Sequence, residues 1–94
     1  MRINDWSIAI ELILSKHAKE QIADRGIPER VVRNVVKAPE QQYNNDIDET
    51  VCQSKKIFED KVYLVRVYVN FYKEPPVIIS AYRTSKIEKY WRSE

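Results

Sequence analysis

Glycine, cysteine and histidine each occur once in this chain, and each scarcity excludes something. A lone Gly26 cannot build a glycine-rich phosphate loop, which sets aside the usual mononucleotide and dinucleotide folds. A lone Cys52 permits no intramolecular disulfide and leaves no ligand set for a zinc-finger type of site, so neither a metal nor a cofactor is expected. Cys52 and the single histidine, His17, lie far apart in the chain and make no convincing nucleophile pair. Long apolar runs are missing too. No stretch approaches the roughly 18 residues a membrane span needs. The longest candidate, Ile8 to Leu14, is interrupted by Glu11 and lacks the basic flank and cleavage site of a signal peptide. The expectation is one domain over residues 1–94, cytoplasmic, with no membrane partner.

What remains is the composition of a folded chain: 44% hydrophobic and 32% charged residues suffice for a modest core. The net charge of +2 says less than its distribution. From Ser80 onward, Arg83, Lys86, Lys89 and Arg92 face only Glu88 and Glu94 in sequence. A basic, aromatic-rich end suits phosphate contact, although a solvated charged surface has the same composition.

Local signals place the elements. The start of the chain has strand character over Ser7 to Leu12, read as a short edge strand leading into a helix. Helix one is expected from Lys16 to Arg25, with Ser15 as N-cap and Gly26 in the left-handed position after the last turn. Leu14, Ala18 and Ile22 form its apolar stripe; His17, Gln21 and Arg25 form the neighbouring one. Helix two starts at Pro28, suited to the first helical position, and ends near Lys37. Its Val31, Val32, Val35 and Val36 share one face. Strands follow over Thr50 to Phe58, Lys61 to Asn70 and Val77 to Arg83, with a hairpin turn at Glu59-Asp60-Lys61 and a loop over Phe71 to Pro76. Ser85 to Arg92 reads as a short closing helix, with a final strand as the alternative.

In the strand Lys61 to Asn70, Tyr63, Val65, Val67 and Val69 point one way and Val62, Leu64, Arg66 and Tyr68 the other. In the next strand, Val77, Ile79 and Ala81 oppose Ile78, Ser80 and Tyr82. Antiparallel pairing with Val65 facing Ala81 and Arg66 facing Ser80 puts the aliphatic side under the helices. The other side is left open, carrying Arg66, Tyr68, Ser80 and Tyr82 with Lys56 beside them. A one-residue slip would bury arginine under the helices, so the choice of faces is constrained. The expected fold is α+β: two N-terminal helices on one face of a mostly antiparallel, roughly four-stranded sheet.

An open face of this kind is a candidate cradle for single-stranded RNA, with arginine for phosphate and tyrosine rings for base stacking. It is equally the composition of a half-wet sheet with ordinary cross-strand pairs. RNA scission without a metal needs a proton-transfer group, which His17 supplies near neutral pH, and positive charge, which Arg25, Arg66, Arg83 or Lys86 supplies. Tyr82 would orient a phosphate oxygen. A second proton-transfer group is not evident; a lysine, a tyrosine or a carboxylate such as Asp24 would serve. The ordinary alternative for His17 is an imidazole at a helix start, hydrogen-bonded to a loop carbonyl.

Three segments carry a resemblance. Ser15 to Ile27 has the form S-x-H-A-x-x-x-x-x-x-R-G-I. This resembles the opening of a family of small bacterial domains of unknown function grouped with the barnase–EndoU–colicin–RelE ribonuclease toxins. Tyr63 to Val67 resembles the middle strand of that family. Val77 to Lys86, followed by Lys89-Tyr90-Trp91, resembles its closing strand; together the likeness spans roughly residues 12–91. It implies two helices on a four-stranded sheet and a metal-independent endoribonuclease, a toxin of a toxin–antitoxin pair or a mobile-element nuclease. By position, His17, Arg25, Arg66 and Tyr82 become the catalytic candidates, and Tyr68, Ser80, Arg83, Lys86 and Lys89 the substrate-binding ones. RNA and an antitoxin protein are the implied partners. Two other readings stand beside it: a non-catalytic nucleic-acid-binding module, and a protein-interaction domain such as a homodimer formed through a strand edge or the Tyr90-Trp91 end.

Overall fold

The computed structural model describes residues 11–93; most of the strand expected over Ser7 to Leu12 lies outside them. In chain order the elements are β1 (Ile13–Leu14), α1 (Lys16–Arg25), α2 (Glu29–Lys37), β2 (Gln41–Asp46), β3 (Glu49–Phe58), β4 (Lys61–Asn70), β5 (Val77–Thr84) and α3 (Ile87–Tyr90). Among the described residues the sheet has five strands, in the order β1-β5-β4-β3-β2. It is mixed, because β1 runs parallel to β5 while the other pairs are antiparallel. The fold is α+β as expected, with one strand more than expected. The additional strand is β2, whose sequence Gln-Gln-Tyr-Asn-Asn-Asp offers neither apolar alternation nor β-branched residues. Its pairing with β3 forms it. No helix among the described residues is long and apolar enough to cross a membrane.

Both ends of α1 follow from their residues. Ser15 is extended and its Oγ accepts from the Ala18 amide at 3.0 Å. Gly26 sits at φ 66°, where a side chain would be strained. The Ile27 amide then donates to the Ile22 carbonyl at 2.9 Å, closing the helix end. α2 begins one residue later than expected, with Pro28 preceding the first turn, a difference within the fraying of helix ends. Val32, Val35 and Val36 are buried and Val31 packs at their margin. These valines, with Ala18 and Ile22 of α1, meet Cys52, Val65, Val67, Val69 and Ala81 of the sheet in one apolar cluster. The aliphatic sheet face thus takes the two helices.

The pairing of β4 with β5 differs from the expected one by two residues. Val67 faces Ala81, Arg66 faces Tyr82 and Tyr68 faces Ser80. A two-residue shift leaves every side chain on its face, so the apolar pattern cannot discriminate between the two registers. A bulge between Tyr68 and Val69 on the pairing path skips Ile79, so that Ile78 pairs with Val69. This turns Ile78 into the helix-covered core, where it is fully buried, rather than onto the Tyr82 side. Lys56 also changes sides: its Nζ donates to Asn34 Oδ1 of α2 at 2.8 Å.

The opposite sheet face is half-roofed, not open. After α3 the chain crosses over β2 and β3. Gln41 Nε2 donates to the Arg92 carbonyl at 2.6 Å, and the Arg92 amide donates to Gln41 Oε1 at 3.0 Å. Lys55 Nζ lies 4.1 Å from the Trp91 ring centre, and the Arg92 guanidinium lies 3.7 Å from that of Tyr43. Tyr68, Ser80 and Tyr82, beside this roof, remain half-buried.

Candidate functional site

Arg66 occupies the middle of this second face and is only 4% exposed. Its Nε donates to Gln53 Oε1 at 2.9 Å. Nη1 donates to the hydroxyls of Tyr82 at 2.6 Å and Tyr68 at 3.1 Å, and Nη2 donates to that of Tyr43. The Tyr90 ring covers the guanidinium at 4.2 Å. Among the described residues no carboxylate lies within salt-bridge distance of Arg66; the side-chain ion pair present there joins Glu29 to Arg33 on α2. A guanidinium hidden from water without a counter-ion is costly. Four hydrogen bonds and the surrounding ring faces offset that cost. Burial works to lower the Arg66 pKa, but the phenol oxygens, Tyr82 foremost, outweigh it and raise it above the ordinary arginine value. Arg66 is permanently charged.

The consequence for the tyrosines is directional. A phenol oxygen that accepts from a guanidinium keeps its own O–H to donate elsewhere. Arg66 therefore arranges Tyr43, Tyr68 and Tyr82 as donors, polarised by a charge that is not itself at the surface. Burial pushes the Tyr82 phenol up to about 12, against the lowering effect of Arg66, so it stays protonated at neutral pH. Its hydrogen bond to Tyr90 holds the Tyr90 phenol below its usual range; burial opposes this, and Lys89 and Arg66 reinforce it. The rings of Tyr68 and Tyr82 are near-parallel, 6.5 Å apart at 22°, while Tyr90 meets Tyr82 edge-on at 6.3 Å.

Gln53 is the hub beneath them. It is fully buried, accepts from Arg66, and donates from Nε2 to Gln41 Oε1 at 2.7 Å and to the Tyr90 carbonyl at 3.1 Å. One neutral amide thus fixes the guanidinium plane, strand β2 and the roof. A glutamate here would supply the missing counter-charge; glutamine leaves it missing.

Helix α1 borders the site along the outer edge of β5. Ser15 Oγ donates to the Ile79 carbonyl at 3.0 Å, and the Ala81 amide donates to Gln21 Oε1 at 2.8 Å. Side chains of α1 thereby satisfy an edge that would otherwise be open to pairing. Arg25, one turn beyond Gln21, reaches around this edge to within 5.9 Å of the Tyr82 ring centre. His17, one turn before Gln21 on the same stripe, is exposed, and its imidazole makes no hydrogen bond to another described residue.

The family of the chain is decided by residues 14–83, which match the model for a domain of unknown function, DUF4258. The chain belongs to the DUF4258 family. No curated protein and no solved structure matches it. The matched segment of this DUF4258 domain includes His17, Arg25, Gln53, Arg66 and Tyr82, and stops before the roof formed by Tyr90 to Arg92.

The expected site residues divide accordingly. Arg25, Arg66, Tyr68 and Tyr82 come together, Ser80 lies across from Tyr68, and the Lys89 ammonium stands 5.3 Å from the Tyr90 ring centre. Arg83 is on the other sheet face, opposite Val65. Lys86 is exposed at the start of α3. His17 stays at the helix edge, without contact to the tyrosine cluster. Tyr43, Gln53 and Tyr90 belong to the cluster and were not among the candidates. Gln53 shares a strand face with Val51 and Lys55, and pairing β3 with β4 in sequence would have put it opposite Arg66. Tyr43 carried no such signal, since its strand did not. Cys52 is fully buried, and burial pushes its thiol up to about 11, the behaviour of an inert core cysteine.

Proposed function

We propose that this domain is a metal-independent endoribonuclease of the barnase–EndoU–colicin–RelE kind, a toxin-like protein acting on single-stranded RNA. The observation that carries the reading is the Arg66 guanidinium, buried, uncompensated and donating to three phenol hydroxyls. Such a group is an electrostatic well for an anion, and phenols that accept from it retain O–H groups suited to donate to a phosphate oxygen. The Tyr68 and Tyr82 rings offer faces for unstacked bases.

In this reading the 2′-oxygen of a ribose attacks the adjacent phosphorus and the bond to the 5′-oxygen breaks. The products are a 2′,3′-cyclic phosphate and a 5′-hydroxyl. His17 takes the proton from the 2′-hydroxyl. Tyr90, whose phenol is the acidic member of the cluster, gives a proton to the leaving oxygen. Arg25 and the phenols of Tyr68 and Tyr82 hold the non-bridging oxygens as charge builds up.

Single-stranded RNA incubated with the purified protein in EDTA tests this. Cleavage to cyclic-phosphate ends is expected. The His17→Ala variant, altered at an exposed position, should lose at least about a hundredfold in rate at unchanged melting temperature. Intact RNA after prolonged incubation with folded protein would overturn the nuclease reading. A second reading, non-catalytic RNA binding, is favoured by one observation: the tyrosine cluster is complete without His17. Its mark is salt-sensitive affinity without scission.

A further inference from the structure

The helix-covered side of the sheet carries a second cationic pocket that the tyrosine cluster does not use. Arg83 projects there near the end of β5, and its guanidinium carbon lies 4.5 Å from the Phe58 ring centre and 4.6 Å from that of Tyr63. The two rings meet edge-on at 5.7 Å. They hold the guanidinium in place yet accept none of its in-plane hydrogens. Among the described residues Arg83 has no carboxylate partner and donates no hydrogen bond. The pocket before it is lined by Asp24, Arg25, Tyr63, Arg83, Thr84 and Ser85. Thr84, which also lines it, accepts at Oγ1 from the Lys86 amide at 3.0 Å. Two guanidinium groups against one carboxylate, Asp24, leave the pocket positive.

Arg25 belongs to both places. It lines this pocket and also lies over the Tyr82 ring on the other face. Tyr82 and Arg83 are consecutive, so they point to opposite faces of one strand. Among the described residues β5 has no strand on its outer side beyond Ile78, and α1 covers that edge as far as the Ala81 amide. A strand joining the two pockets would cross the edge past Ala81, alongside Arg25.

We infer that the Arg83 pocket is a second phosphodiester subsite, holding the phosphate next along the same RNA strand from the one at the tyrosine cluster, with the strand bent over the β5 edge and Arg25 shared between the two phosphates. The identity of the strand rests on the proposed function; the phosphate chemistry of the pocket does not.

The first test uses inorganic phosphate and the full chain. Titration is followed by NMR at the Arg83 Nε–H and the Ser85 amide. Saturable shifts at both are expected, and the Ser85 shift should vanish in Arg83→Gln, which keeps the polar stem against the rings. Absence of saturable shifts in the unsubstituted protein, a result independent of any variant, would overturn the subsite. The second test compares 2′-O-methyl oligonucleotides carrying one and two internal phosphates. The second phosphate should raise affinity about tenfold in the unsubstituted protein and less than about twofold in Arg83→Gln. An equal gain in both proteins would contradict the shared strand. Saturation by inorganic phosphate with no oligonucleotide binding would contradict the RNA placement while leaving an anion pocket, a result that separates this inference from the reading beneath it.

Discussion

On the helix-covered face of the sheet, Cys52, Val65, Val67, Val69 and Ala81 are fully buried and need no hydrogen-bond partner. On the opposite face Gln53 and Arg66 are almost as well hidden, yet their polar atoms are tied to named partners. The first face is held by the hydrophobic effect, which is indifferent to direction. The second is held by a directional network around a charge, and such networks fail when one member is lost. The apolar face specifies the fold; the polar face costs more to build, and it is the one to which the proposed function assigns binding.

The strongest break in this contrast is Arg66→Ala. It strands Gln53 Oε1 and removes the charge that aligns three phenols. Denaturant unfolding should show a loss of about 3 kcal/mol, with RNA affinity falling at least about a hundredfold in filter binding. Val67→Ala, its neighbour on the other face, should cost about 2 kcal/mol through lost burial and a cavity. RNA affinity of the folded variant should not change. A Val67 variant that loses affinity as Arg66→Ala does would erase the functional distinction between the faces.

Alkaline pH separates them differently. Cys52 and Tyr82 both hold their protons more tightly when folded, at about 11 against 9.0 and about 12 against 10.0. The unfolded chain therefore loses these protons first as pH rises. Stability is fully present below about pH 9 and declines as each folded-state value is approached, between 9 and 11 for the thiol and between 10 and 12 for the phenol. Denaturation midpoints from pH 8 to 11 should show this decline, and Cys52→Val should flatten its lower part. Tyr90, held below its usual range, acts in the opposite direction, so the decisive comparison is between variants: a Cys52→Val profile that superimposes on that of the unsubstituted protein would contradict the burial assigned to the thiol.

The smallest expected effect lies outside both faces. The β3–β4 turn places Glu59 at φ 52° and Asp60 at φ 69°, a hairpin geometry that favours glycine or asparagine. Asp60→Gly should raise stability by about 1 kcal/mol without altering RNA binding. A loss of stability would contradict the turn conformation.

Much of the helix-covered face was legible in the sequence. Ser15 and Gly26 bound α1, the valine pattern of α2 marks its buried side, and alternation in Lys61 to Asn70 assigns the two sheet faces. The polar face was less so. Its register differs by two residues from the one expected because that shift preserves the pattern, and the bulge at Ile79 leaves no trace in composition. β2 depends on its pairing with β3 rather than on its own residues. The roof over the face depends on the side-chain amides of Gln41 and Gln53 holding the backbone of Tyr90 and Arg92, which no local rule anticipates. Arg66 and Tyr82 were visible as candidates, but their relation was not: Arg66 is buried and donates to the phenol oxygens.

That relation can be measured directly through the affinity of a non-cleavable 2′-O-methyl RNA oligonucleotide across a salt series, for the unsubstituted protein and for Tyr82→Phe. Affinity should fall steeply with salt in the unsubstituted protein. Tyr82→Phe, which removes the hydroxyl and keeps the ring, should bind at least about tenfold more weakly at low salt. Salt-insensitive binding, or a Tyr82→Phe protein that binds as tightly as the original, would contradict a guanidinium acting on its ligand through the phenols.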